Sequence, residues 1–184
     1  MTSRATGATV PVWDRPVRLL HWTLVASVVL GWFTTEWRTG WHQPVGYAGL
    51  AALVLRLLWG CVGSRHARFA QFVRGPRATL AYARALSARR APRHLGHNPL
   101  GGWMIVALLG CIAGLALTGW LYTTDWLWGD ETVETVHRAL AWGLLGLVAL
   151  HVAGVLFTGR RQRENLVAAM FSGRKRAPAG DDVS

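Results

Sequence analysis

The sequence predicts an all-α integral membrane protein, built as a bundle of four membrane-spanning helices. Hydrophobic residues make up 52% of the 184 residues, and the mean hydropathy of +0.24 is high for a soluble chain of this size. These residues also gather in four runs long enough to cross a hydrocarbon core about 30 Å thick. The predicted helices span about 18–35, 44–62, 103–123 and 136–158.

The distributions of tryptophan and of charge support the same class. Ten of the 11 tryptophans gather where apolar runs begin or end, as in the aromatic belts at membrane surfaces. A net charge of +11 suggests nucleic-acid binding at first sight, but the basic residues avoid the apolar runs. They cluster in an N-terminal segment (1–17), a central loop (63–100) and a C-terminal tail (159–184). This pattern fits loops on one side of a membrane, and we expect no nucleic-acid partner.

The first apolar run, 19–35, follows basic residues and could be mistaken for a secretory signal peptide. It lacks an A-x-A-like cleavage site, and tryptophan and phenylalanine occupy its far end. We therefore predict an uncleaved membrane helix, preceded by a polar and mobile segment. His21 lies near the start of this helix.

The second run, 45–62, opens with His42-Gln43-Pro44 and contains Arg56. Proline is well tolerated at a helix start because its missing N–H has no partner there. An arginine inside a membrane span indicates a functional role, but its long side chain can equally extend to the nearer surface. The sequence leaves both interpretations open.

The central loop precedes a third apolar run, 103–122. Within the loop, Pro76–Ser87 has the composition of a short amphipathic helix lying on the membrane surface. The third run holds no histidine, but Gly110 and Gly114 have the G-x-x-x-G spacing. Small residues at this spacing let another helix approach closely, or they leave room for a flat cofactor.

The fourth run, 136–157, contains two histidines, His137 and His151. Their spacing of 14 residues places both on nearly one helix face, about 21 Å apart along the axis. Imidazoles this deep in an apolar helix are costly unless something binds them.

The charge asymmetry predicts the orientation of the four helices. Three basic residues precede or begin the first helix, eight lie in the central loop and six in the tail. The opposite connections carry only Arg38 and, at a helix start, Arg138. The positive-inside rule therefore places both termini and the central loop in the cytoplasm.

This orientation sorts four histidines into two depths, His21 with His151 towards the cytoplasm and His42 with His137 towards the outside. A zinc site normally has three or four protein ligands, whereas a b-type haem needs two axial ones. Helix packing or a proton path would also explain a lone buried histidine. Four histidines that pair by depth favour haem.

The remaining candidates carry weaker signals. His66 and His94 are expected to be ordinary solvated loop residues, and His97 to lie near an inner haem or a quinone without being a ligand. Two isolated cysteines predict no disulfide framework, and the absence of C-x-x-C-H excludes covalent c-type haem attachment. No hydrolase or nucleotide-binding motif is present, and no catalytic residue is predicted.

Several segments resemble the bacterial cytochrome b561 family, which includes the b-type cytochrome subunit of nickel–iron hydrogenases. They are W-D-R-P-V-R-L-L-H-W (13–22), the arginine-rich stretch from R-L-L-W-G to R-G-P-R (56–77), G-H-N-P-L-G-G-W (96–103) and A-L-H-V-A-G-V-L (149–156). The resemblance covers about residues 11–175. The chain is compact, so it resembles the stand-alone members somewhat more than the longer hydrogenase subunits.

The resemblance implies two haem b groups, one held by His21 and His151 and the other by His42 and His137. Arg56 and Arg138 become candidates to stabilise the haem propionates, and helix glycines become candidates to admit a porphyrin. It also implies electron transfer across the bacterial cytoplasmic membrane. The expected partners are membrane lipid, the quinone pool, and a redox partner such as a hydrogenase, another dehydrogenase, cytochrome c or superoxide.

Overall fold

A computed structural model describes residues 8–36, 40–180 and 182–183 of the chain. The elements in chain order are β1 Thr9–Pro11, α1 Arg15–Glu36, α2 His42–Val62, α3 Phe69–Phe72, α4 Pro76–Ser87, α5 Pro99–Leu121, α6 Glu131–Gln162, α7 Leu166–Ser172 and β2 Arg174–Arg176. Four of these helices, α1, α2, α5 and α6, are long and apolar enough to cross a membrane. The predicted all-α membrane class is therefore confirmed, and α4 is the short helix expected in the central loop. Arg4 and Arg38, used above to predict orientation, lie outside the described residues.

The helix ends are set by polar caps that lie beyond the apolar runs. The Asn98 side chain accepts a hydrogen bond from the Gly101 N–H at 2.8 Å, so α5 begins four residues earlier than the tryptophan that opens its apolar run. Asp130 caps α6 in the same way at the Val133 N–H. Side-chain oxygens stabilise helix starts because the first N–H groups have no partner within the helix.

Each of the four long helices packs along the next one in the sequence. Helix α1 packs along α2, α2 along α5, and α5 along α6. Leu24, Ala52, Leu53 and Leu109 form a buried cluster that joins the first three of them. Helices α1 and α6 have little backbone contact and meet through the rings of Trp32 and Trp142, 4.9 Å apart.

The outer faces of these helices are apolar and uncovered. Phe33, Leu58 and Leu150 each expose more than half of their surface. Exposed apolar side chains along a spanning helix are the expected contact with lipid, because lipid tails replace the protein core there.

A folded cap closes the end of the bundle where α1 and α5 begin and α2 and α6 end. We call the assembly of β1, residues 63–98, α7 and β2 the terminal cap. Strand β1 pairs antiparallel with β2, and the N–H groups of Val12 and Trp13 both donate to Gly173 O. The expectation of a mobile N-terminal segment is therefore wrong for residues 8–14. These residues are ordered because Val12, Trp13 and Val17 bury their side chains against Ala67.

The basic tail is also part of the terminal cap. Lys175 is buried, with its ammonium group 5.3 Å from the centre of the Trp13 ring. Burial lowers the pKa of Lys175 to about 8. Arg93 reaches from the central loop to Glu164, at 3.0 Å, and to Asp182. These contacts join parts of the chain that are far apart in sequence.

Candidate functional site

His42 and His137 lie together at the end of the bundle opposite the terminal cap. His42 begins α2, and His137 lies in the second turn of α6. Their ring centres are 6.2 Å apart and their ring planes are inclined at 74°. The structure thus brings together two of the four histidines that the sequence analysis singled out, from two different helices.

Hydrogen bonds fix the orientation of both rings through the same nitrogen. Nδ1 of His42 lies 3.0 Å from Gly31 O and 3.3 Å from the Thr34 hydroxyl. A carbonyl oxygen only accepts, so His42 carries its proton on Nδ1. Nδ1 of His137 lies 2.8 Å from the Thr118 hydroxyl, which itself donates to Gly114 O. Both rings are thereby held as the tautomer whose Nε2 has a free lone pair.

The two rings lie close enough for one iron to bind both. A metal–imidazole bond is about 2.0 Å and the ring centres lie 6.2 Å apart, so two imidazoles from different helices could hold a haem iron between them. Histidine ligands of metals commonly donate the other ring N–H to a carbonyl or another oxygen, as both do here. No three His, Cys, Asp or Glu residues gather as a possible metal-ion site within the described part of the chain.

The inner pair has a different geometry. His21 lies in α1 and His151 in α6, and no hydrogen bond or ring contact joins the two within residues 8–36 and 40–180. The His21 ring instead contacts Trp22 edge to face at 5.0 Å. The two helices have little backbone contact with each other, so helix packing does not bring these two histidines into direct contact.

Unpartnered polar atoms concentrate at this inner end. Among the described residues, six buried side-chain atoms have no hydrogen-bond partner. They belong to Arg18, His21, Trp22, Arg56, His66 and His97. Such a group costs about 1–3 kcal/mol when it stays unpaired. A ligand with carboxylates fits this donor set, because the unpaired atoms of Arg18, Trp22 and Arg56 are N–H donors in α1 and α2.

Arg56 is turned into the protein. It is 6% exposed, it donates through one terminal nitrogen to Ala67 O at 3.3 Å, and its guanidinium lies 5.1 Å from the Phe69 ring centre. The other terminal nitrogen is buried without a partner. The Arg56 side chain therefore extends towards the terminal cap and is covered by it, and both interpretations of this arginine stay open.

Arg138 has a different environment. Its side chain is 67% exposed and forms an ion pair with Glu134, one turn earlier in α6. An exposed pair of this kind contributes little stability. Nothing in its surroundings supports a propionate contact as directly as the buried, unpartnered nitrogen of Arg56 does.

The loop histidines are more buried than the sequence indicated. His97 lies between Trp13 and Phe72, with ring centres 4.5 and 4.7 Å away. Burial, together with the nearby charges of Lys175 and Arg56, lowers the pKa of His97 well below its ordinary value, so this ring is neutral.

His66 and His94 are not ordinary solvated loop residues, and that expectation is wrong. Burial lowers the pKa of both rings, and His94 contacts Tyr82 edge to face at 5.2 Å. The reason is that the loop folds back onto the two terminal strands, which no local sequence pattern reveals.

Asp14 is a structural residue that the sequence analysis missed. Its carboxylate accepts hydrogen bonds from Val17 N at 2.8 Å and Trp59 Nε1 at 2.9 Å, and also from the Ser64 hydroxyl. Burial raises its pKa, but these bonds and the charge of Arg56 outweigh burial and lower it. The sequence Asp14-Arg15-Pro16 is typical of a helix start, and this pattern could have identified Asp14 as a capping residue.

The helix glycines divide into two groups. A Cβ on Gly119 would lie 3.3 Å from Cε1 of His137, and one on Gly114 3.0 Å from Leu140. Gly114 therefore lets α6 approach α5. Gly143, Gly146 and Gly154 would meet nothing within 4 Å, which leaves the α6 backbone open on those faces.

Comparison with known proteins identifies the family of this chain. The family model of prokaryotic cytochrome b561 matches residues 12–173, which include both histidine pairs. The chain belongs to the prokaryotic cytochrome b561 family. A b561 cytochrome is a helical membrane protein that carries haem b and transfers electrons, so the family resemblance noted in the sequence is confirmed.

Several relatives carry the name "Probable Ni/Fe-hydrogenase B-type cytochrome subunit". The protein from Bradyrhizobium diazoefficiens is 24% identical, over 94% of this chain and 88% of its own length. That from Cupriavidus necator is 23% identical, over 88% and 85%, and that from Azotobacter chroococcum is 26% identical, over 88% and 86%. The alignment with the Bradyrhizobium protein runs over 222 residues, longer than this chain, so that relative carries insertions. No solved structure matches this chain.

Proposed function

We propose that this b561 cytochrome moves electrons across the bacterial cytoplasmic membrane through two b haems, between the quinone pool and a redox partner. In this proposal His42 and His137 hold the outer haem, and His21 and His151 hold the inner one. Each bound haem supplies a one-electron redox centre. The protein supplies the ligands, their orientation and the apolar surroundings.

The observation that carries the proposal is the outer histidine pair. The rings lie 6.2 Å apart, close enough to bind one iron between them, and hydrogen bonds hold each Nδ1 so that each Nε2 is free to bind. The inner pair rests on a weaker argument, the set of buried donors without partners. Arg56 is the residue best placed to bind an inner propionate, because one of its nitrogens is buried and unpartnered.

The orientation follows from the charges. The terminal cap holds most of the basic residues, so the positive-inside rule places it in the cytoplasm, together with both termini. The 14 residues from His137 to His151 then separate an outer and an inner site by about 21 Å along α6. Haem edges extend beyond the irons, which shortens the distance that an electron crosses.

A nickel–iron hydrogenase is the redox partner favoured by the names of the relatives. A second candidate is a stand-alone oxidoreductase between quinone and superoxide or a soluble cytochrome c. It is favoured by the insertions that the Bradyrhizobium relative carries and the matched part of this chain lacks. Neutral His97, buried beside Trp13 and Phe72, is our candidate for the neighbourhood of the quinone.

Haem content tests the proposal directly. The wild-type protein, purified in mild detergent, should give two b haems per chain by pyridine haemochrome. His42→Ala and His137→Ala should each lose one haem and keep the other. Gln43→Ala, which changes the neighbour of His42 and no proposed ligand, is the control. One haem in the wild type, or loss of both haems in both histidine variants, would contradict the pairing.

Copurification separates the two candidate partners. Recovery of a hydrogenase with the tagged chain in mild detergent supports the subunit role. Rapid haem reduction by superoxide in the isolated protein, with no copurifying dehydrogenase, supports the stand-alone role.

A further inference from the structure

A cavity of about 290 Å³ lies where the terminal cap meets the end of α6. Its walls include Tyr82 and Leu86 of α4, Thr158 and Arg161 of α6, and Arg89 just after α4. None of these residues belongs to the proposed haem sites. The volume is near the lower limit of about 300 Å³ for small-molecule sites, so the cavity is large enough for one small polar group.

Three of the cations that line the cavity form no ion pair among the described residues. Glu164 and Asp182 both bind Arg93, so these three residues together keep one negative charge. Arg89, Arg161 and Arg176 also line the cavity, and none of them forms an ion pair within the described part of the chain. Their positive charges outweigh that negative charge, so the cavity keeps a net positive charge that attracts an anion.

The donors of these arginines are only partly used. Arg161 donates once, to Leu86 O at 3.1 Å, and Arg176 donates to Gln162 O at 3.3 Å. The Arg89 side chain is exposed and has no hydrogen bond among the described residues. A guanidinium presents five N–H donors in a planar fork that matches the oxygens of a phosphate group.

The position of the cavity relative to the bilayer indicates that the anion is a lipid headgroup. The apolar run of α6 ends at Phe157, and Thr158 and Arg161 follow it at once. Helix α4 carries the exposed Leu80, at 52% exposure, together with basic residues, as expected of an amphipathic helix lying at a membrane surface. The cavity thus lies at the level of the lipid headgroups, where basic pockets between helices bind anionic lipids.

We propose that this cavity binds the phosphate headgroup of an anionic phospholipid from the same leaflet as the terminal cap. Arg89, just after α4, and Arg161, in α6, hold the phosphate, and Arg176 adds charge from β2. The lipid thereby ties the amphipathic helix to the end of the spanning helix that carries His137 and His151. The acyl chains lie outside the cavity, against the apolar surface.

The test compares lipid retention by native mass spectrometry. The whole protein, with its haem bound, is incubated in detergent with phosphatidylglycerol or with phosphatidylcholine. Wild type should retain phosphatidylglycerol in clear preference to phosphatidylcholine. Equal retention of the two lipids overturns the proposal, whatever the variants show.

The variants locate the binding. Arg89→Gln should lower the apparent affinity for phosphatidylglycerol about fivefold, and Arg89→Gln with Arg161→Gln about 25-fold, because each basic residue near the surface contributes ~1 kcal/mol. The double variant Arg77→Gln with Arg84→Gln removes the same charge from exposed positions of α4 that do not line the cavity, and should change the affinity less than twofold. Equal losses in the two double variants would show general charge attraction and overturn the proposal.

Two further measurements keep the test decisive. Arg89 makes no side-chain contact that the fold requires, so the single variant remains informative if the double variant fails to fold. Added inorganic phosphate should leave phosphatidylglycerol bound. Displacement of the lipid by inorganic phosphate at equal concentration would identify a site for a free anion and refute the lipid.

Discussion

Replacing Thr118 with valine tests whether the hydrogen bond to His137 tunes an iron ligand. Valine has nearly the same shape as threonine but no hydroxyl, so Nδ1 of His137 loses the partner it has at 2.8 Å. An imidazole whose N–H is hydrogen-bonded is a more basic ligand and stabilises the oxidised iron more than the reduced iron. Loss of the bond should therefore raise the midpoint potential of the outer haem and leave the inner one unchanged.

The size of the shift follows from the strength of the bond. A hydrogen bond of this kind contributes about 0.5–1.5 kcal/mol. For a one-electron couple 59 mV corresponds to a tenfold change in equilibrium constant. The midpoint potential should thus shift by about 20–60 mV at most. The shift reaches this size when the full free energy of the hydrogen bond is present in only one oxidation state of the iron.

The assay is a spectroelectrochemical titration of the purified protein, with haem content measured alongside. Thr123→Val is the matched control, because the Thr123 hydroxyl donates to Trp120 O, bonds to no histidine among the described residues, and lies just beyond the same helix. A fall in the outer potential, or an equal shift in both haems, would refute the role given to Thr118. An unchanged potential with full haem content would show that this hydrogen bond does not tune the outer haem.

Three further predictions concern the outer site and the terminal cap. Gly119→Ala places a Cβ 3.3 Å from Cε1 of His137, so it should change the absorption spectrum of the outer haem alone, whereas Gly110→Ala, in open space, should change neither. Because the pKa of Asp14 is lowered in the folded protein, its ionised carboxylate stabilises the fold. This stabilisation is complete at pH values above the ordinary pKa of 3.8 and is lost as the pH falls through the lower folded pKa. Thermal unfolding of Asp14→Asn should therefore depend less on pH in this acid range, and an unchanged pH dependence would contradict the assignment. Arg93→Met removes the cation that binds Glu164, whose side chain is 8% exposed. This change should destabilise the terminal cap by about 3–5 kcal/mol and speed hydrogen exchange in β2. Exchange as slow as in wild type would refute a structural role for the pair.

The sequence was sufficient to predict the four spanning helices and the histidines worth attention. Apolar runs of membrane length leave few alternative folds, because every backbone polar group must be satisfied inside the bilayer. Helix periodicity then places His137 and His151 on one face without any tertiary information. The ends of α5 and α6 were predicted less well, since Asn98 and Asp130 extend each helix beyond its apolar residues.

The terminal cap and the partners of the histidines could not be predicted in this way. Strand β1 pairs with β2 across more than 160 residues of chain, and three-residue strands carry no reliable pattern of their own. The hydroxyl of Thr118 is one of many in the sequence, and only the packing of α5 against α6 brings it to His137.

By itself, then, the sequence determined how many times the chain crosses the membrane and which residues share a helix face, because both depend on the local spacing of side chains along a helix. The tertiary structure decided which histidines meet, which nitrogen of each ring is free, and that Arg56 is covered by the terminal cap. These properties depend on how separate helices and loops pack, through contacts whose free energy arises only when distant segments come together.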